Sequence, residues 1–203
     1  MHNKIKIISL LITLLFTHNI AFAWDNSLKD NVSSNNTRLD AKEQAITHNR
    51  QGITFLETGY PLHAINEFKL GIMLNPNSAM SADLYNNLGR SYEMVKAYDY
   101  AIMSYEHAIQ INPNFSVYYR NLINAYQNKK TLHQAQYNYE KIVKLNPQDA
   151  QAHFILGLIY IKKGDNTKAH KALETFIKLE PNLDLASAAQ KYIDKINEST
   201  PKF

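Results

Sequence analysis

An all-α fold, a solenoid of stacked helix pairs, is what this sequence predicts, and three observations predict it. Prolines recur at Pro76, Pro113, Pro147 and Pro181, at steps of 37, 34 and 34 residues. Each follows an apolar residue and then Asn or Glu, as in "LNPN", "INPN", "LNPQ" and "LEPN". Between the prolines, large and small residues fall on helical faces: Tyr85, Leu88 and Tyr92 at i, i+3, i+7, then Ala101, Tyr105 and Ala108 at i, i+4, i+7. A period of this length marks a chain of helix pairs, none of which can bury its apolar face alone.

Counting back from each proline gives units 45–78, 82–115, 116–149 and 150–183, with Ala79-Met80-Ser81 inserted after the first. Each unit reads as helix, turn, helix, stop. The proline cannot extend the second helix, and it drives the residue before it out of the helical region. Asp40 with Glu43 three residues on has the form of a capping box opening the first helix. Asp99 is placed to cap the second helix of unit two. Lys129-Lys130 and Lys162-Lys163 close the first helices of units three and four, where cations complement the helix dipole. After the last unit, 184–198 carries Leu185, Ala188, Ala189, Tyr192 and Ile196 on one face. Gln190, Lys191 and Asp194 are polar where another unit would continue the packing. This segment is a capping helix, which a stack of repeats needs at its end.

The units resemble tetratricopeptide repeats, whose pattern is a large residue, Leu-Gly, Tyr, then Ala, an aromatic, Ala and Pro. Unit two follows it with Tyr85, Leu88-Gly89, Tyr92, Ala101, Tyr105, Ala108 and Pro113. Unit four has His153, Leu156-Gly157, Tyr160, Gly164, Ala169, Leu173, Phe176 and Pro181. Unit three keeps Tyr119, Leu122, Tyr126, Ala135, Tyr139, Ile142 and Pro147 but has Ile123 for the glycine. Unit one is the most divergent, with His48, Gln51-Gly52, Phe55, Gly59, Ala64, Phe68, Gly71 and Pro76. The resemblance implies a right-handed α-solenoid of about four such repeats over 40–198. In that register Gly89 and Gly157 are expected opposite Ala101 and Ala169, small against small. Ile123, opposite Ala135, is expected to force a slightly wider helix pair or a shifted packing there.

The first 23 residues have a different layout. Lys4 and Lys6 precede an apolar run from Ile7 to Phe16, and Ala21-Phe22-Ala23 follows. This is the three-part form of a secretory signal peptide, with cleavage expected after Ala23. Residues 24–39 are polar and rich in Asn and Ser, the composition of a flexible linker. The 22 basic residues fall to 20 once Lys4 and Lys6 leave, against 18 acidic ones, so no clustered charge points to nucleic acid or to an anionic membrane surface. The apolar run is shorter than a membrane span requires, and no stable insertion is expected after cleavage. With no cysteine, disulfides, thiol nucleophiles and lipidation at the cleavage point are excluded. The expected location is the periplasm of a Gram-negative cell envelope, with secretion as the alternative.

The histidines are scattered without the spacing of a zinc site, and no phosphate loop or nucleophile elbow is present. No enzyme activity and no cofactor are expected. The resemblance implies instead that the first helices line a concave groove for a protein or peptide. In this sequence the groove positions are Asn49, Ile53, Asn86, Arg90, Arg120, Asn124, Phe154, Leu158 and Ile161. Asn86 and Arg120 suit a clamp for a carboxylate terminus, but Ile53 and Asn124 depart from it. Phe154, Leu158 and Ile161 form an apolar stripe that either receives nonpolar side chains of a ligand or is covered within the stack. An assembly or scaffold factor of the cell envelope is the leading reading. An effector that binds a host protein and a glycan-binding module are the alternatives. Exported protein is expected to begin at Trp24, and mass spectrometry of the N-terminal peptide checks it; an intact Met1 in the membrane fraction would contradict cleavage.

Overall fold

The computed structural model describes residues 37–74, 79–180 and 183–199. The segments expected as a signal peptide (1–23) and as a linker (24–36), together with Pro76 and Pro181, lie outside the described residues. The chain divides into units Met1–Asp40 and Ala41–Phe203, and of the first only Thr37–Asp40 is described. Among the described residues there are nine helices and no strand: α1 (Thr37–Glu57), α2 (Pro61–Leu74), α3 (Ala79–Met94), α4 (Tyr98–Ile111), α5 (Ser116–Asn128), α6 (Leu132–Leu145), α7 (Ala150–Lys163), α8 (Asn166–Leu179) and α9 (Leu183–Ser199). They make four helix pairs and a terminal helix, an α-helical repeat solenoid.

The same turn joins the helices of every pair. One residue takes a left-handed backbone: Gly59 (φ 82°), Lys96 (φ 59°), Lys130 (φ 64°) and Gly164 (φ 79°). Its N–H reaches back three residues, to the carbonyls of Leu56, Glu93, Gln127 and Ile161. The next N–H reaches back five, from Tyr60 to Phe55, Ala97 to Tyr92, Thr131 to Tyr126 and Asp165 to Tyr160, at 2.8–2.9 Å. These are the two bonds of a Schellman cap, which satisfies carbonyls that a helix end would leave open. Lys130 therefore ends α5 through its backbone, beyond any effect of its charge.

Among the described residues, α4 and α6 end on the proline motif as expected. Asn112 and Asn146 are extended, both at φ −135° and ψ 87°. Each side chain also accepts a bond from the N–H two residues on, Asn114 and Gln148, at 3.3 Å. Asn before Pro thus closes a local turn.

The expected pairing of Gly89 with Ala101 and of Gly157 with Ala169 is corrected. A Cβ on Gly89 would stand 2.6 Å from the Tyr105 ring, and one on Gly157 would stand 2.6 Å from Leu173. Gly52 meets Phe68 in the same way, at 2.5 Å. In all three the partner lies sixteen residues on, four beyond the expected alanine. The glycine is a hollow for a large side chain, not half of a small-against-small contact. Unit three pairs Ile123 with Tyr139 in this register. Its helices α5 and α6 stand much further apart than α3 and α4 or α7 and α8, as the missing glycine predicts.

Three helix-end expectations also change. α1 starts at Thr37, so Asp40 lies inside its first turn and 37–39 are helix rather than linker. Asp99 does not cap α4; the N-cap is Ala97, and the Asp99 carboxylate pairs with Lys129 instead. The capping helix buries Leu185, Ala189, Ile193 and Ile196 against the stack, with Tyr192 half-buried against the same cluster and Ile193 added to the expected face. Gln190, Lys191 and Asp194 are exposed, as an end helix requires.

Lys96 and Lys130 hold a backbone that costs an L-residue about 1–2 kcal/mol. Lys96→Gly and Lys130→Gly are each expected to stabilise by about 0.5–1 kcal/mol, because glycine's larger unfolded-state entropy offsets part of that gain. Denaturant melts check it, with Gly59→Lys as the converse change, expected to destabilise.

Candidate interaction face and the tyrosine network

The first helices carry asparagine in quantity, and the fold brings these amides into contact across unit boundaries. Asn87 Nδ2 of α3 donates to Asn49 Oδ1 of α1 at 3.4 Å. Asn121 Nδ2 of α5 donates to Asn86 Oδ1 of α3 at 2.8 Å. Asn128 Nδ2 donates to Glu93 Oε1 at 3.0 Å, and Lys162 Nζ of α7 donates to Asn124 Oδ1 at 3.1 Å. Arg90 bonds Asn87 Oδ1 at 3.3 Å. A run of amides therefore extends from α1 to α7. Each amide has two donors and an acceptor with two lone pairs, so one such bond leaves capacity for a ligand.

Of the expected groove residues, Asn49, Asn86, Arg90 and Asn124 belong to this run. Arg120 is exposed beside it on α5, and Ile53 is half-buried against Leu56 and its neighbours. The apolar stripe is corrected. Phe154 is fully buried, edge-on to Tyr119 at 5.0 Å and tilted on Phe176 at 4.9 Å. Leu158 is buried in the same cluster, and Ile161 is half-buried against it. α7 is apolar nearly all round, so its groove-register positions go to core packing. Asn87, Asn121, Asn128 and Lys162 were not anticipated. Their signal was present as the Asn86-Asn87 pair and the 34- or 35-residue steps from Asn87 to Asn121 and Glu93 to Asn128.

Tyrosine hydroxyls tie the core to carboxylates. Tyr105 donates to Glu93 at 2.7 Å, Tyr118 to Asp83 at 2.6 Å, Tyr126 to Glu106 at 3.0 Å and Tyr160 to Glu140 at 2.7 Å. Burial, reinforced by these carboxylates, pushes the four phenols well above their ordinary pKa, so they remain donors. Glu140 is held below the usual range by bonds from Gln136 and Tyr160. Glu106 moves the other way: burial raises its carboxyl, and the Tyr126 bond only partly opposes this. No three His, Cys, Asp or Glu side chains form a metal-holding group among the described residues. None of the described helices is long and apolar enough to cross a membrane.

Helix pairs stacked in register, joined by one recurring turn and presenting polar side chains from every first helix, define the class as a repeat-built interaction scaffold. Residues 82–115 and 138–171 each match the tetratricopeptide repeat, so the chain carries tetratricopeptide repeats. The second match begins within α6 and ends within α8, twelve residues ahead of the proline-counted unit 150–183. No curated protein is significantly similar in sequence. Among solved structures, MamA is 26% identical over 79% of this chain and 81% of that one, with a TM-score of 0.46. A tetratricopeptide repeat protein from Parabacteroides merdae ATCC 43184 is 17% identical over 77% and 61%, with a TM-score of 0.47. YrrB, described as a tetratricopeptide repeat protein with an unusual peptide-binding site, is 20% identical over 72% and 74%, with a TM-score of 0.41. These are loose superpositions, and the family assignment stands on the repeats themselves.

A raised carboxyl pKa means that the folded chain holds the Glu106 proton more tightly than the unfolded chain does. Stability is then lost as pH rises from the ordinary carboxyl value through the elevated one. Glu106→Gln keeps an acceptor for Tyr126 and removes the titration. It is expected to match the parent at about pH 4.5 and exceed it at about pH 7, as read by denaturant melts at both values.

Proposed function

We propose that the chain binds an extended polypeptide along the face formed by α1, α3, α5 and α7, and does so after export, as an assembly or scaffold factor of the cell envelope. The observation that carries the reading is the amide run from Asn49 to Lys162. Peptide backbone offers alternating N–H and C=O groups, and asparagine can meet either one. A row of amides spaced by the repeat suits an extended strand read through its main chain, with side chains contributing at the margins. Arg90, Arg120 and Lys162 are exposed along the face and favour acidic residues in the partner. The burial of Phe154 and Leu158 removes the apolar anchor that the sequence offered, so the reading now rests on polar contacts. Export is supported by the basic, apolar and Ala-Phe-Ala segments of the first 23 residues.

A photo-crosslinking residue at Arg120 is expected to capture the partner in living cells, and one at Tyr137, exposed on α6, is not. Arg120→Ala with Asn124→Ala is expected to abolish capture while the melting temperature stays within about 2 °C, since exposed substitutions cost little. Equal capture from both positions, or undiminished capture by the double variant, would contradict the assigned face. Fractionation of periplasm and culture medium decides between retention and secretion.

A further inference from the structure

The departure in unit three leaves a cleft. Tyr139 has no glycine to lie in, because its partner sixteen residues back is Ile123, and a β-branched side chain cannot give way as a missing one does. α6 keeps a Tyr139–Tyr126 side-chain bond to α5, but most of its polar ties run to α7. Tyr160 bonds Glu140 at 2.7 Å, and Lys163 bonds His133 at 3.1 Å and also Gln136. The space left beside α5 is a cleft of about 220 Å³. Its apolar walls are Ile109 of α4, Leu122 of α5, Ile142 of α6 and Ile155 of α7. Its polar groups are Glu106, Tyr139 and Asp149, with Gln110 and Gln151. No lining residue is a cation, and the cleft shares no residue with the amide run.

The geometry points to a binding site for a small aliphatic cation, an ammonium group carried on an apolar stem. Three features select that chemistry. The cleft is smaller than the roughly 300–1,000 Å³ of sites for drug-sized ligands, so it fits a side chain or a small amine rather than a cofactor. Its walls are branched aliphatics, suited to a methylene stem. Its charge is carboxylate without a counter-ion: Glu106 receives the Tyr126 hydroxyl on Oε1, and Asp149 receives the Ala152 N–H on Oδ1. Each carboxylate has a second oxygen, and a buried carboxylate is stabilised most by a cation placed in hydrogen-bond reach. The elevated pKa of Glu106 agrees with a carboxylate that lacks such a partner. Free alkylamines and lysine side chains of a bound polypeptide share this chemistry.

The test is a titration of the full exported chain with n-butylammonium, followed by NMR of labelled isoleucine methyl groups. Saturable shifts at Ile109, Ile142 and Ile155 are expected, with n-butanol binding at least about tenfold more weakly, the scale of one charged hydrogen bond. Glu106→Gln is expected to weaken butylammonium by a similar factor while its circular dichroism and melt show an intact fold. Ile123→Gly, which supplies the hollow for Tyr139, is expected to let α6 close on α5 and abolish the shifts. Equal binding of butanol, undiminished binding to Glu106→Gln, or no saturable shift in the parent would overturn the assignment. A doubly blocked lysine separates the sources. Binding of it together with butylammonium points to lysine in a polypeptide, and exclusion of it with butylammonium retained points to free amines.

Discussion

How closely two helices of a unit approach is set by one position on the first helix and one large side chain sixteen residues later. Where the first position is glycine, the ring or branch of the second lies in the hollow, as Phe68, Tyr105 and Leu173 do. All three are fully buried. The close approach then brings the rest of each pair into contact, whereas the Schellman turn forms in all four pairs, unit three included. Where the position is Ile123, the pair does not close. Of α6 only Ala135 is fully buried, and Tyr137, Ile142 and Leu145 remain exposed. The consequence of one side chain is thus a helix that belongs more to the next unit than to its own.

The tyrosines supply the second constraint. A stack of helix pairs needs bulky residues at its interfaces, and aliphatic ones would leave no means of fixing rotation. Tyr105, Tyr118, Tyr126 and Tyr160 fill volume with the ring and orient it with the hydroxyl, each on a carboxylate. All four bonds join different helices, three of them α4 to α3, α5 to α3 and α7 to α6. The Tyr126 bond joins α5 to α4. Register along the stack is therefore written in polar contacts at the edge of an apolar core.

The helix pairs, their phase and the terminal helix were legible because proline spacing and helical periodicity are local signals. The widening at unit three was legible for the same reason, since Ile123 stands in a column of glycines. The partner of each glycine was not, because a pattern of small residues suggests small-on-small contact, and only the crossing geometry moves the contact four residues along. Asp99 and Asp40 failed as caps for the same reason: each helix begins earlier than the local pattern suggests, which puts both carboxylates inside the first turn instead of ahead of it. The apolar stripe on α7 was assigned to the groove with burial in the stack as its alternative, and the burial of Phe154 and Leu158 decides for the alternative. A face that could serve either core or ligand is decided by what the neighbouring helices bring to it, and here Tyr119 and Phe176 reach Phe154.

The interaction face and the cleft follow from the same economy. On the proposed face the amides of α1, α3 and α5 bond across units instead of standing separately. That arrangement holds the face in a fixed shape before any partner arrives, which lowers the ordering cost of binding. Unit three is where the array is least closed, and Asn121 and Asn124 of the amide run lie on α5, the helix from which α6 stands away. Lys162 ties Asn124 to α7, and Tyr160 and Lys163 tie α6 to that same helix. α7 is thus the element that both the amide run and the displaced α6 lean on. Its burial on nearly all sides, Phe154 and Leu158 included, gives it the rigidity to hold them.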